Sequence, residues 1–527
     1  MPRYPSGNLI RKLTFLAILL TIAGQFYTVG RVPAYPTDDD GAYAAAGWQI
    51  WQTGRPGVPG YRTVVGMGGD VYALGHLGAA VQGVLMAVFG IGVRTAILPS
   101  VIVGVMLLGG CYLLGRRLWG VGSGLVAALL LGLSGVFFGA AHSARPDLLV
   151  TLFLMIGFWL VAGVGRVPGR SDYWRLGVAG LVMGVSGDAH PNGFLLAPLP
   201  LVFWLMRMRP GWSVLWRGVL AYGSGGMIGI GYWIARHYLP NPEEFWRQSA
   251  LHGMATHGVR LRDHGLTGAL RIELQRYLNW FWNARGHRHL YEGLCVMGAG
   301  VLLVWRGDRT DRALVGTWGV LFLIAAALMG NEFGWYLIFS WPLFCLWIGR
   351  AVALMPWPRV GMGLVVVLIA GYVFNHALWF WKASRDRSLT ERVAEIRAEV
   401  PAGASVLASA GLWFALWDRD FTHEPYLPFR VLESRLYPET GPTGWDIEQR
   451  RCGWQYVVAY GNLRRFLDSR VPIEEILAVE PWRSRQAEVR EARDYARRYL
   501  TVVRQLESPD DPITIFRVDP GAVQLSR

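Results

Sequence analysis

RTAILPSVIVGVMLLGGCYLLGRR, residues 94–117, is an apolar run that stops on a pair of arginines. As a helix its apolar part reaches across a hydrocarbon core of roughly 30 Å. Paired basic residues mark the cytoplasmic end of such a segment. Similar runs recur through the first 380 positions, and the whole chain of 527 residues is 53% hydrophobic and only 17% charged. That balance excludes an ordinary soluble enzyme.

The basic groups set a topology. Arg11/Lys12, Arg116/Arg117, Arg166/Arg170/Arg175, Arg207/Arg209, Arg306/Arg309/Arg312 and Arg350/Arg359 belong inside if the charge rule holds. Helices are then expected near 10–30, 94–115, 119–140, 148–165, 175–189, 191–208, 214–236, 289–305, 312–330, 334–350 and 359–381, about eleven crossings. Leu13–Val29 lacks a small-residue cleavage site and reads as a retained first helix rather than a signal peptide. Residues 71–92 are also apolar, but a full crossing there would put Arg116/Arg117 outside. They are therefore expected to form an amphipathic or re-entrant segment within a first external loop, 31–93. A second external loop, 237–288, carries Arg247, Arg260, Arg262, Arg271, Arg276 and Arg285. Long loops are translocated largely regardless of such charge.

After Trp381 the pattern changes. Leu389, Val393, Ile396 and Val400 recur at helical spacing, and Ser405–Ala408, Gln455–Ala459, Thr501–Val503 and Ile513–Val518 read as strands around a polar helix at Arg485–Tyr499. The fold class expected is a polytopic α-helical membrane protein, residues 1–384, with a small C-terminal α/β domain, 385–527, on the outer side.

Composition narrows the chemistry. The formal charge is +14, yet only Lys12 and Lys382 are lysines and no basic run is interleaved with stacking aromatics, so nucleic acid is not the partner. The 25 tryptophans fit an interfacial belt. Cys111, Cys295, Cys345 and Cys452 have neither metal-site nor disulfide spacing. His252, His257, His264, His287 and His289 match no ligand pattern either.

Two acidic motifs stand out, because charge near lipid is costly and usually serves a purpose. Asp38-Asp39-Asp40 lies in YPTDDDGAY, residues 35–43, and Asp147 ends HSARPD, residues 142–147. Under the topology above both face outward, as do Asp188/His190 and Asn331/Glu332. Adjacent carboxylates raise one another's affinity for a proton or a cation, which suits a general base or an oxygen-ligand metal site. The plainer use is structural, with Asp38 or Asp39 capping a helix that starts near Gly41.

The ordered set of motifs resembles the GT-C glycosyltransferases, and within them the protein O-mannosyltransferase and aminoarabinose-transferase branch. Asp39-Asp40-Gly41-Ala42-Tyr43 is similar to that group's first-loop acidic pair and tyrosine, and Tyr112–Gly120 to its Gly-Arg-Arg turn. Ala144–Leu149 is similar to its second acidic motif, Asp188–Gly193 to a further polar motif, and Tyr336–Pro342 to a later helix start. The resemblance spans most of residues 10–350. It implies a polyprenyl-phosphate sugar donor, a protein, lipid or glycan acceptor, and membrane lipids as partners. It also implies Asp39 as general base, with Asp40, where Glu is more usual, assisting or holding a cation. Asp147 would orient acceptor or sugar. A divalent cation held by Asp39 and Asp40 is the one cofactor this reading admits.

Displacing a phosphate needs positive charge on the leaving group. Arg145 is the first candidate, because guanidinium grips phosphate through two donors, although it also reads as a snorkelling anchor. Arg236 and His237 come second, and His142, His190 and Tyr43 complete the expected substrate contacts. Asn331 and Glu332 stand where the family often has a lysine. The rival reading is a transporter or lipid flippase, but no internal repeat is present and the charges lie at outer helix ends rather than at the midplane.

Overall fold

In the computed structural model, the described residues are 6–29, 37–62, 64, 67, 70–72, 75–256, 260–283, 289–329, 334–383, 389–424, 430, 433–434, 437–440, 443–468, 471–477, 486–506 and 512–519. They are mostly helical, with one small sheet near the C-terminal end.

The helices that build the site come first. These are α1 (Ser6–Thr28), α2 (Asp38–Thr53), α3 (His76–Phe89), α4 (Val93–Trp119), α5 (Val121–Leu133), α6 (Gly135–Ala141), α7 (Asp147–Ala162) and α8 (Arg170–Ala189). After α9 (Asn192–Leu196) and α10 (Pro198–Met208), α11 (Trp212–Trp233) runs into a π-turn at Ile234–Tyr238. Next follow α12 (Pro242–Thr256), α13 (Arg260–Leu278), α14 (Leu290–Arg306) and α15 (Arg309–Leu328). A 3-10 turn at Gly334–Phe339 then leads to α16 (Trp341–Leu354) and α17 (Pro358–Ala383).

The expected eleven crossings are not confirmed: among the described residues, α4 and α15 are each long and apolar enough to cross a membrane, and α5 with α6, bent by 64°, would make a third. The reason is local. Ser134 accepts from Phe137 N and caps a new helix in the middle of the expected 119–140 span. The expected 191–208 span is present but short: Ala197 is helical, so α9 and α10 run on as one apolar helix, Asn192–Met208. The 71–92 segment holds a helix of 14 residues, roughly 21 Å long.

Helix packing follows membrane chemistry. α8 and α11 cross on glycines: a Cβ at Gly184 would stand 3.0 Å from Gly229 Cα, and one at Gly180 would strike the Tyr222 carbonyl. Small residues let backbones approach where apolar burial gives little drive. Leu107, Phe137, Phe158, Trp204 and Trp341 fill the core between the helices.

The C-terminal part begins with α18 (Leu389–Glu399). It contains β1 (Ser405–Ala408), β2 (Asp420–His423), β3 (Tyr456–Ala459), β4 (Leu500–Leu506) and β5 (Ile513–Val518), in the order β2-β1-β3-β5-β4. β1 pairs in parallel with β2 and β3, whereas β5 is antiparallel to both β3 and β4. Each expected strand is present, and β2 is an addition. Its sheet does not stand apart. Val406, Leu407, Trp454 and Ile515 share one apolar core with Ala44, Val58, Met67 and Met86 of the first loop.

Candidate active site

The site is built where the N-terminus of α2 meets the turn before α7. Thr37 caps α2 and pairs with Asp40 three residues on: Asp40 N donates to Thr37 Oγ1 at 3.3 Å, and Thr37 N donates to Asp40 Oδ2 at 2.7 Å. The Thr37 hydroxyl also donates to Oδ2. Oδ1 accepts from Ser143 Oγ and from Ala144 N, both at 2.6 Å. Asp40 therefore pins the second acidic motif to the first. Burial pushes its carboxyl above the usual carboxylate range, against the opposing pull of Ser143, Thr37 and Ala144.

This corrects the expectation for Asp40. About four lone-pair directions are available on a carboxylate, and four protein donors already occupy them, so the Asp39–Asp40 pair does not fit a shared cation. The helix also begins at Asp38, capped by Thr37, rather than near Gly41.

Asp39 faces the other way. Its side chain is 55% exposed and accepts from Arg145 Nη1, while Arg145 Nε donates to Asp147 Oδ2 at 2.7 Å. One nearly buried guanidinium thus joins the two acidic motifs. Burial lowers its proton affinity, but Asp147 and Asp39 outweigh that and raise it well above the ordinary value, so the bridge is permanently charged. Asp147 opens α7, and its Oδ1 is buried with no hydrogen-bond partner among the described residues. Tyr43, one turn past Asp39 on α2, is buried within electrostatic reach of Asp39, Arg145 and Asp147, and burial raises its hydroxyl pKa.

A second layer lies behind Arg145. Its guanidinium stands 5.9 Å from the Tyr336 ring, and that of Arg276 stands 5.6 Å from the same ring. Arg276 pairs with Glu273 at 3.1 Å, both buried. His190 meets Tyr336 edge-on at 6.4 Å, and its Nδ1 accepts from Asn192 N. Arg276 was only one of seven external-loop arginines in the sequence, and nothing in the spacing singled it out.

Other expected residues lie apart from this group. His142 is buried and turned away: its ring nitrogens face Phe138 O at 2.9 Å and Thr28 Oγ1 at 2.7 Å, and the ring stacks on Phe138. With both nitrogens engaged inside the bundle, it is a packing residue and not a substrate contact. Arg236 donates to the Tyr232 hydroxyl, and His237 bonds Asp188 Oδ1 at 2.6 Å, in a separate cluster. Among the external-loop histidines, His264 is exposed and His289 is stacked on Trp280. His257, His287, Asn331 and Glu332, with the side chain of His252, lie outside the described residues.

The arrangement has solved counterparts: a helical body, a first-loop acidic helix and a C-terminal mixed domain give this chain a fold like that of ArnT. The family model of dolichyl-phosphate-mannose-protein mannosyltransferases matches residues 76–233. ArnT of Cupriavidus metallidurans bound to undecaprenyl phosphate superposes with a TM-score of 0.62 at 14% identity, covering 97% of this chain and 98% of that one. The archaeal oligosaccharyltransferase AglB of Archaeoglobus fulgidus, in complex with an inhibitory peptide and a dolichol-phosphate, gives 0.51 at 10% identity, over 93% and 72%. The arabinofuranosyltransferase AftD from Mycobacteria gives 0.50 at 14% identity, over 97% and 40%. At these identities the likeness is one of fold. No curated protein matches the chain by sequence.

Proposed function

We propose that this chain moves a sugar from a polyprenyl-phosphate carrier to a hydroxyl acceptor at the outer face of the cytoplasmic membrane, with inversion at the anomeric carbon. The observation that carries the reading is the Asp39–Arg145–Asp147 bridge. It presents one exposed carboxylate, one fixed cation and one buried unfilled carboxylate oxygen within a single constellation. The undecaprenyl phosphate and dolichol-phosphate named for ArnT and AglB support a lipid-phosphate donor.

In this scheme Asp39 takes the proton of the acceptor hydroxyl as its oxygen attacks the anomeric carbon. The bond from that carbon to the phosphate oxygen breaks, and the phosphate leaves with the electron pair. Remaining N–H donors of Arg145 stabilise the charge that gathers there, with Arg276 in support. Asp147 Oδ1 accepts from a sugar or acceptor hydroxyl. The attacking oxygen arrives opposite the phosphate, so no covalent sugar–enzyme intermediate forms. The N-terminus lies in the cytoplasm and the C-terminal domain outside.

The test uses membrane vesicles given labelled polyprenyl-phosphate sugars. Asp39→Asn should lower transfer by about 10²–10⁴-fold while the protein still inserts and purifies normally. Wild-type transfer by that variant would remove Asp39 as the base.

A further inference from the structure

The His76, Asp188 and His237 side chains, each buried, bring one ligand atom apiece to within 4.8 Å of one another. They come from three separate elements: the start of α3, the end of α8 and the π-turn after α11. Two observations give the cluster a direction. First, each histidine uses one ring nitrogen on a backbone carbonyl, which can only accept. His76 Nε2 stands 2.7 Å from Val71 O, and His237 Nδ1 stands 2.8 Å from Tyr72 O. Those contacts place one hydrogen on each ring, on His76 Nε2 and His237 Nδ1, and leave His76 Nδ1 and His237 Nε2 as the nitrogens that could ligate. Outer carbonyls that fix the tautomer in this way are the usual support of metal-bound histidines.

Second, the two remaining nitrogens differ in what they meet. Among the described residues, His76 Nδ1 is buried with no hydrogen-bond partner. His237 Nε2 faces Asp188 Oδ1 at 2.6 Å, a contact bridged either by a proton on Nε2 or by a metal ion between them. The two imidazole rings stack at 4.0 Å, which disfavours charging both with protons. One metal ion answers all three groups at once.

We propose that His76 Nδ1, His237 Nε2 and a carboxylate oxygen of Asp188 bind a zinc-class divalent ion, with water in the fourth position. Two imidazoles and a carboxylate suit zinc in tetrahedral geometry. Seating it separates His237 Nε2 and Asp188 Oδ1 from 2.6 Å to about 3.3 Å, as bonds of ~2.05 Å require. The site would act by position. Further along α3, Gln82 donates to Ala144 O, and Gly78 lies so near Pro146 that an added Cβ would stand 3.3 Å from its Cβ. An ion at the start of α3 therefore clamps the helix that holds the Arg145–Asp147 turn, without touching the reacting groups.

The full-length protein, purified in detergent without chelators and with a tag free of histidine, should carry close to one zinc per chain by elemental analysis. His76→Ala and His237→Ala should each weaken Zn2+ binding at least tenfold, and chelation should lower the melting temperature of the wild type but not of these variants. Because a variant could fail to fold, Co2+ titration of the wild type provides an independent reading. One equivalent should give the strong visible absorption of tetrahedral cobalt, and Zn2+ should displace it. Protein that takes up neither ion, or variants that bind it as tightly as the wild type, would overturn the site and leave a protonated Asp188–His237 pair. Neither result bears on sugar transfer, which is assayed separately.

Discussion

Asp39 and Asp40 are chain neighbours with opposite surroundings, and that contrast divides their work. Asp40 turns into the protein and is surrounded by donors; Asp39 remains open to a substrate and is held by Arg145. Replacing Asp40 with alanine leaves Ser143 Oγ and the amides of Ala144 and Thr37 without their acceptor. With about 1–3 kcal/mol for each stranded buried group, partly relieved by relaxation, Asp40→Ala should destabilise the protein by about 2–4 kcal/mol. Thermal unfolding in detergent would register this as a clear drop in melting temperature, whereas an unchanged value would remove the anchoring role. Both acidic motifs were legible in the sequence because carboxylates are rare beside apolar runs. The division of labour was not legible, since it depends on which side of α2 meets Ser143, and that is set by tertiary packing.

At the scale of elements, α2 is the part on which the site depends, and it is held from two sides. Its C-terminal half packs on α3 through close glycine contacts, while Gly41 presses on the backbone carbonyl of Ala410 in the C-terminal part. No side chain fits at that contact. Gly41→Val should lift α2 off the turn at Ala410–Leu412, costing about 1–3 kcal/mol as overpacking does. Limited proteolysis should then release the C-terminal part faster than from the wild type, and equal rates would show that the contact carries no load. Apolar periodicity located α4, α7 and α15 well, because each is a single run. It missed the break at Ser134, where a local cap interrupts a stretch that hydropathy reads as continuous. β2 escaped notice as well: Asp420–His423 is only four residues long, and its pairing with β1 is non-local. The His76–Asp188–His237 group left no mark on the spacing, because its members come together only through the helix packing.

Across the whole molecule, the first loop and the C-terminal domain form one unit. Arg62 donates to Thr422 Oγ1 at 2.6 Å and pairs with Asp420 at 3.1 Å, Trp48 meets Trp417 edge-on, and Tyr61 stacks on His423. His423 is fully buried at this seam, neither ring nitrogen has a hydrogen-bond partner among the described residues, and burial lowers its pKa from 6.5 to about 3. A histidine with a depressed folded-state pKa contributes stability above its unfolded value and loses it as the pH falls. The seam should therefore weaken between about pH 6.5 and 3, by on the order of 5 kcal/mol in all. Melting curves from pH 7 to 4 should fall more steeply for the wild type than for His423→Phe, which keeps the ring and removes the titration. Parallel curves would place the acid sensitivity elsewhere.

The central claim is that Asp39 and Asp147 act through Arg145 as one site for lipid-linked sugar transfer. A double-mutant cycle on kcat/KM tests it most directly, using Asp39→Asn, Asp147→Asn and the pair together with a labelled polyprenyl-phosphate sugar. Residues that act as a unit are strongly non-additive. The account predicts that each single change lowers kcat/KM by about a hundredfold or more, and that the pair falls within about tenfold of the worse single variant. Losses that multiply independently, or a single variant with wild-type transfer, would contradict it.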